Sequence, residues 1–284
     1  MSADAAAPSA DASAPRGDAS ARRADAAAPS ADAPAELTGA FVKASRTQRL
    51  IARRMIEANA TVPEFTVALD VAMDAAIALR GELKDGAAAD GGSVVPSLND
   101  MVLRAVALAL REHPRVNGSW DEQAGGFRLW EQVNVGFAVA APETLVVPVV
   151  AAADTLALGE IAAATRALAA AVRDRTIAPA QLAGGTFTVS NLGMLGIRHF
   201  EAVINPPQAA ILAVGALRPT VVPAPTLGSD AEAVDAPSAV TPTAVAVQTL
   251  MTLTLTSDHR IVYGADAAAF LGTVKALLEA PERL

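Results

Sequence analysis

Residues 249–264 read TLMTLTLTSDHRIVYG. Up to Thr256 the chain alternates, with Met251, Leu253 and Leu255 on one face and Thr252, Thr254 and Thr256 on the other. A period of two in β-branched and apolar residues predicts a half-buried strand. From about Gly264 the period changes to that of a helix. Ala267, Phe270, Leu271, Val274 and Leu278 fall on one side, and Pro281 lies beyond the end. Such a strand followed by an amphipathic helix is one unit of the alternation of helices and strands that, along the whole chain, predicts an α/β or α+β fold. His259 is left in the turn between them. A histidine there can project into a cleft and act as a base near neutral pH. From position alone, a loop histidine that caps the strand is an equal alternative.

Upstream, helices and strands continue to alternate. Residues 46–60 read as a helix carrying Arg46, Arg49, Arg53 and Arg54, more in keeping with a solvated or interface face than a phosphate site. Pro63 stops it, and Phe65–Met73 reads as a strand. Ser97 and Asp100 form a capping box ahead of Leu98, Met101, Val102, Ala105, Val106 and Ala109 at helical spacing, up to Pro114. Strands are predicted over 133–140, 145–150, 186–189 and 209–214, with an Ala-rich helix over 157–173. Residues 223–241 are rich in Pro, Ala, Ser and Asp and read as a surface loop. Together these give one domain with a mixed sheet over residues 41–284.

Residues 1–40 differ. Seventeen are Ala, and Asp recurs at 4, 11, 18, 25 and 32 without an apolar seam, so the heptad is not a coiled coil. No large apolar side chain stands between Met1 and Leu37. Such a stretch cannot offset its ordering entropy by burial and is expected to be a disordered Ala/Pro/Ser/Asp linker. Its acidic residues argue against a transit peptide, and the missing apolar core excludes a secretory signal. The apolar run 135–153 contains Pro142, Glu143 and Pro148, and reads as two buried strands rather than a membrane span. A cytoplasmic location is expected.

Composition narrows the chemistry. The net charge of −8 makes nucleic acid an unfavourable partner, because phosphate contacts need clustered Lys and Arg. Zero Cys excludes disulfides, thiolate metal sites and a cysteine nucleophile. Three scattered histidines, His113, His199 and His259, do not suggest a metal site. His113 stands at a helix end as a cap or favourable charge, and His199 follows a glycine turn in a structural place. The second chemical signal is GGTFTVSNLGMLG, residues 184–196. Ser190 ends a strand and is placed to donate to an oxyanion, although Ser-Asn-x-Gly is also ordinary turn chemistry. No dinucleotide, Walker or nucleophile-elbow motif is present.

These segments together resemble a known family. RLIARRM at 49–55, Pro63 with Phe65-Thr66, PRVN at 114–117, NVG at 134–136 and LVVPV at 145–149 carry the likeness. So do the glycine-turn segment, INPPQAAIL at 204–212 and DHR at 258–260. From about Val42 to Leu284 the chain is similar to the acyltransferase core of the dihydrolipoamide acyltransferases of 2-oxo acid dehydrogenase complexes. The resemblance implies a chloramphenicol-acetyltransferase-like sandwich with a mixed sheet, assembled as a homotrimer or larger. It implies an active site between subunits, with coenzyme A entering from one side and a lipoyl arm from the other. His259 would be the general base, and Ser190 of the neighbouring subunit would stabilise the tetrahedral intermediate. Asn191 and Gly193 would line the substrate, with no metal. No cofactor would be tightly bound, coenzyme A being a substrate. The acyl group would be acetyl by preference.

Three positions depart from the family pattern. Tyr263 stands four residues after His259 where Asp is usual, and tyrosine carries no charge at neutral pH to replace it. Glu64 stands where His is frequent, and residues 140–145 have Ala and Thr where Asp and Gly are usual. Lys43, Lys84 and Lys275 are the only lysines, and none follows an Asp as a lipoyl-bearing lysine would. Either the sequence is a fragment beginning in a linker, or the lipoyl group is expected in trans, on a lipoyl-bearing protein among the subunits of a 2-oxo acid dehydrogenase complex. Two alternatives remain open at this point: a non-catalytic assembly scaffold, and a coenzyme A-dependent acetyltransferase for another small acceptor.

Overall fold

The structure, a computed structural model, describes residues 39–89, 94–141, 144–224 and 244–284, without the side chains of Ala89 and Thr144. The linker expected over 1–40 lies outside the described residues except for its last two, as does the loop expected at 223–241 from residue 225 on. Residues 44–284 fold as one unit.

The strand-turn-helix that opened the sequence is its frame. Strand β10 (Val245–Asp258) passes through the five-residue turn 259–263 into helix α5 (Gly264–Glu279). β10 pairs antiparallel with β1 (Glu64–Ala72) and with β9 (Ala210–Pro223). β9 runs parallel to β8 (Phe187–Asn191), and β8 parallel to β4 (Val135–Phe137). β7 (Val149–Val150) closes the far edge antiparallel to β4. The order β1-β10-β9-β8-β4-β7 mixes both pairings, as expected.

The register explains which face is dry. Leu255 pairs with Val67 and Leu212, and Leu253 with Leu69 and Val214, so apolar residues share one face. Helices α3 (Leu98–Glu112) and α5 bury Met101, Val102, Ala105, Phe270, Leu271 and Val274 in the same core. Burying side chains of this size is worth about 1.5–3 kcal/mol each. The capping box is formed: Ser97 Oγ accepts from Asp100 N–H (3.2 Å) and Asp100 Oδ2 accepts from Ser97 N–H (2.7 Å). The other carboxylate oxygen accepts from the Thr165 hydroxyl (2.6 Å), tying α3 to α4 (Leu158–Arg173). His113 is the C-cap of α3, and its ring Nε2 meets Thr273 Oγ1 of α5 at 2.8 Å.

Several elements differ from expectation. The first helix, α1 (Arg46–Thr61), and β1 match within a residue or two. Helix α2 (Asp74–Ala89) and the hairpin β2 (Gly118–Asp121) with β3 (Gly126–Leu129) were not signalled. The two strands expected over 133–150 are four short ones. β4 and β7 join the main sheet, while β5 (Val139–Ala141) and β6 (Thr144–Val146) form a separate ribbon. β9 runs to Pro223, beyond the 209–214 expected. Pro219 is tolerated because β8 no longer pairs at that level, so its missing N–H faces an open edge.

The polar face of the sheet carries a strap. After β8 the chain turns through a 3-10 turn (Gly193–Leu195) and crosses back over β9. Opposite Thr252, β9 places Gly215 and Ala216, a bulge that admits the strap. Ala216 N–H donates to Ile197 O (2.8 Å), and a Cβ on Gly215 would lie 2.0 Å from Arg198 O. Gly215→Ala is therefore expected to destabilise the protein by about 3 kcal/mol or more, since backbone rather than a side chain must move. Urea unfolding of the purified variant measures this; an unchanged midpoint would mean the strap yields freely.

Candidate active site

The turn after β10 is held tightly. Asp258 is buried, and its carbonyl accepts from the N–H groups of Ile261 (3.0 Å) and Val262 (2.9 Å). Its carboxylate accepts from Arg260 Nε (3.0 Å to Oδ1) and Nη2 (2.8 Å to Oδ2), a two-pronged pair of the kind that fixes geometry. Hydrogen bonding to Asp258 holds the Arg260 guanidinium above its ordinary pKa. The His259 N–H donates to Pro63 O (3.0 Å), which anchors the turn to the end of α1.

The His259 side chain stands outward. Its ring lies against Phe65 (centroids 4.5 Å apart) and, on another side, near Tyr263 (5.9 Å). Neither ring nitrogen has a hydrogen bond among the described residues, so both are open to a substrate. Two guanidiniums flank the turn. Arg260 lies over Trp120 at 5.0 Å, and Arg115 lies 5.2 Å from the Tyr263 ring centroid and 5.5 Å from that of Phe127. Trp120 and Phe127 are register partners across the β2–β3 hairpin, so that ribbon gives each guanidinium an aromatic ring to lie against. Nothing in the local sequence signalled it: Arg115 and Tyr263 are 148 positions apart.

Ser190 is the fourth residue of β8. By register it shares the polar face with Ala213, Thr254 and Ala68. Its hydroxyl has no partner among the described residues and is free to donate. Asn191 is differently employed. Its Oδ1 accepts from Gly193 N–H (2.8 Å) and its Nδ2 donates to Asn99 Oδ1 (2.9 Å). A Cβ on Gly193 would stand 2.5 Å from Gly215 O. Both residues thus build the turn behind Ser190, with their polar atoms or their lack of a side chain already used. Asn134 and Asn117 are also architectural. Asn134 holds Gly184 O (2.8 Å) and Ala152 N–H (2.9 Å), and Asn117 Nδ2 holds Trp130 O and Gln132 O (both 2.9 Å).

His259 and Ser190 do not meet within one chain. Ser190 is level with Thr254 of β10, and His259 is five residues further along that strand direction and two strands across. At about 3.4 Å per residue and 4.8 Å per strand, that is a separation of roughly 15–20 Å. Two clefts of about 390 and 400 Å³ reach neither residue. The second holds His199 with Asp70, Arg198 and Thr252. Glu64 is occupied locally, its Oε1 accepting from Ile204 N–H (3.1 Å) on the strap. Among the described residues no group of three or more His, Cys, Asp or Glu is placed to hold a metal, and no helix is long and apolar enough to cross a membrane.

The family described as 2-oxoacid dehydrogenases acyltransferase (catalytic domain) matches residues 38–284. The dihydrolipoyllysine-residue acetyltransferase component of the pyruvate dehydrogenase complex of Zymomonas mobilis is 36% identical over 242 residues, 84% of this chain and 50% of its own. This chain spans about half the length of such curated relatives. Among solved structures, the dihydrolipoamide acetyltransferase of Azotobacter vinelandii superposes with a TM-score of 0.75 at 26% identity, covering 87% of this chain and 93% of that one. Its description concerns the catalytic role of a serine, a histidine and an asparagine four positions after the histidine. The cubic core of a pyruvate dehydrogenase multienzyme complex matches with a TM-score of 0.75 at 27% identity, covering 87% and 93%.

Proposed function

The chain belongs to the 2-oxoacid dehydrogenase acyltransferase family through its catalytic domain, and on that premise we propose that it transfers an acyl group, acetyl by preference, between a dihydrolipoyl thiol and coenzyme A. It does so as a core subunit of a 2-oxo acid dehydrogenase complex, at sites shared between copies of a homotrimer. One observation carries this reading. An open imidazole and a free hydroxyl, the two groups that thioester exchange needs, stand five residues and two strands apart on one chain's sheet. A neighbouring copy in a ring brings the Ser190 of one chain to the His259 of the next. Exposed apolar residues beside Ser190, Met194 and Leu195, and on the β9–β10 arm, Val221, Val245 and Val247, supply surface for such contacts.

The chemistry follows from these groups. His259 takes the proton of the coenzyme A thiol, and the thiolate attacks the carbonyl carbon of the acyl-lipoyl thioester. A new C–S bond forms and the carbonyl electrons move to oxygen. The neighbour's Ser190 donates its O–H to that oxyanion. As the intermediate collapses, the bond to the lipoyl sulfur breaks, and His259 returns the proton to that sulfur. Asn191 and Gly193 take part through the turn that aims Ser190. Both sulfurs belong to substrates, so a chain with no cysteine is sufficient. Coenzyme A and the lipoyl thiol are both substrates of this domain, and the proposed location is the cytoplasm.

The test is exchange between free dihydrolipoamide and acetyl-, succinyl- or isobutyryl-coenzyme A by the purified protein. Acetyl transfer is expected to be the fastest. A folded trimer that exchanges none of them would favour the scaffold reading. Transfer to a small hydroxyl acceptor in preference to the dithiol would favour a different acetyltransferase.

A further inference from the structure

Tyr263 occupies the position, four after the histidine, at which the Azotobacter enzyme has an asparagine. Its surroundings suggest no polar function. Its side chain is the N-cap of α5 but makes no cap hydrogen bond, and no partner of its hydroxyl is among the described residues. Instead its ring has two close neighbours, an imidazole and a guanidinium. On one side is the His259 imidazole at 5.9 Å, tilted by 60°. Near it lies the Arg115 guanidinium at 5.2 Å. Arg115 is itself fixed, because its Nη1 donates to Ile261 O (3.2 Å) within the catalytic turn and it also lies 5.5 Å from the Phe127 ring. A cation within about 6 Å of an aromatic centroid is attracted by the ring quadrupole, by about 0.5–1 kcal/mol at exposed sites. Phe65 borders the imidazole on its own side at 4.5 Å. An aromatic that is half exposed (50%) would not hold one place by burial alone. The stacked guanidinium gives it one.

We propose that Tyr263 is a positioning residue that holds the His259 ring by aromatic contact, with Arg115 locking both Tyr263 and the turn. The ring, and not the hydroxyl, is the working part. This rests on the acyltransferase reading above, and it replaces polar anchoring at that position with a Phe65–His259–Tyr263–Arg115 stack. The stack spares this chain the charge that a carboxylate would bring to the same place.

The experiment compares Tyr263→Phe, Tyr263→Ala, Arg115→Met and the double variant Tyr263→Ala with Arg115→Met, against wild type and His259→Ala, in acetyl exchange. Tyr263→Phe is expected to stay within about threefold of wild type. Tyr263→Ala is expected to lose about 10–100-fold in kcat with KM changed little, because a misplaced base costs rate rather than binding. Arg115→Met should lose in the same direction, and the double variant should lose less than the product of the two single losses, because the two residues act partly as one unit. Wild-type kcat in Tyr263→Ala, or Tyr263→Phe as impaired as Tyr263→Ala, would overturn the proposal. A crystal structure of Tyr263→Ala gives a readout independent of turnover. The imidazole should occupy more than one rotamer, and an unmoved His259 would overturn the proposal even in an active protein. An inactive wild type would instead count against the acyltransferase reading, while the rotamer result still decides the role of Tyr263.

Discussion

His259→Ala is expected to lower acetyl exchange by about 10²–10⁴-fold while leaving folding and assembly intact. The rate loss follows from the chemistry. Neither substrate thiol is an effective nucleophile until its proton is removed, and Glu122, the exposed carboxylate near the turn, is engaged by Trp120 Nε1 (2.7 Å) and by the Arg260 guanidinium (3.7 Å). Asp258, the nearest carboxylate, is buried and committed to Arg260. The folding side of the prediction follows from the packing. The turn is held by backbone bonds of His259 N–H to Pro63 O, and of Ile261 and Val262 to Asp258 O, all of which survive loss of the ring. The ring itself is exposed and contributes one close contact, with Phe65. The variant should therefore unfold at nearly the wild-type denaturant concentration. Exchange rate and urea midpoint, measured on the same preparation, check both halves. Near-wild-type exchange would remove His259 as the base. Loss of activity accompanied by unfolding would assign it a structural role.

How much of this was legible in the sequence depended on whether the relevant contacts were local. The β10–turn–α5 unit announced itself because two periodicities meet within a few residues, and α3 did so through Ser97 and Asp100. α2 stayed hidden because Gly81 and Gly86 interrupt it and its alanines mark no face. The β2–β3 hairpin is two four-residue strands, too short for alternation to register. β9 was read short because Gly215 and Pro219 look like terminators, whereas one accommodates the strap and the other lies on an open edge. His259 and Ser190 were legible as residue types at strand ends. The distance between them was not, because it depends on β8 running parallel to β9 and β9 antiparallel to β10. Asn191 and Gly193, expected at the substrate, also build the turn behind Ser190, through contacts with Asn99 and Gly215 that are far off in sequence. The Arg115–Tyr263 stack joins positions 148 apart and left no local trace.

That strand geometry leads to the most discriminating result. Ser190→Ala alone should lower kcat by about 10²–10³-fold, the cost of removing one donor to an oxyanion. Co-expressed with His259→Ala in equal amounts, it should recover about a quarter of wild-type activity, as follows from a closed ring whose sites each draw on two chains. In such a ring each site takes its imidazole from one chain and its hydroxyl from the next. Random assembly gives half the sites an intact imidazole and, independently, half an intact hydroxyl. If instead both residues served one site within a single chain, every site would lack one of them, and mixing would restore nothing. The β8–β9–β10 register argues against that arrangement, because moving His259 to Ser190 inside one chain would require β10 to slip by five residues. An odd slip would turn Leu253 and Leu255 out of the core, where they are fully buried. Recovery to about a quarter, with tagged chains confirming mixed trimers, therefore separates a site between copies from one within a chain. Absence of recovery in confirmed mixed trimers would overturn the shared site.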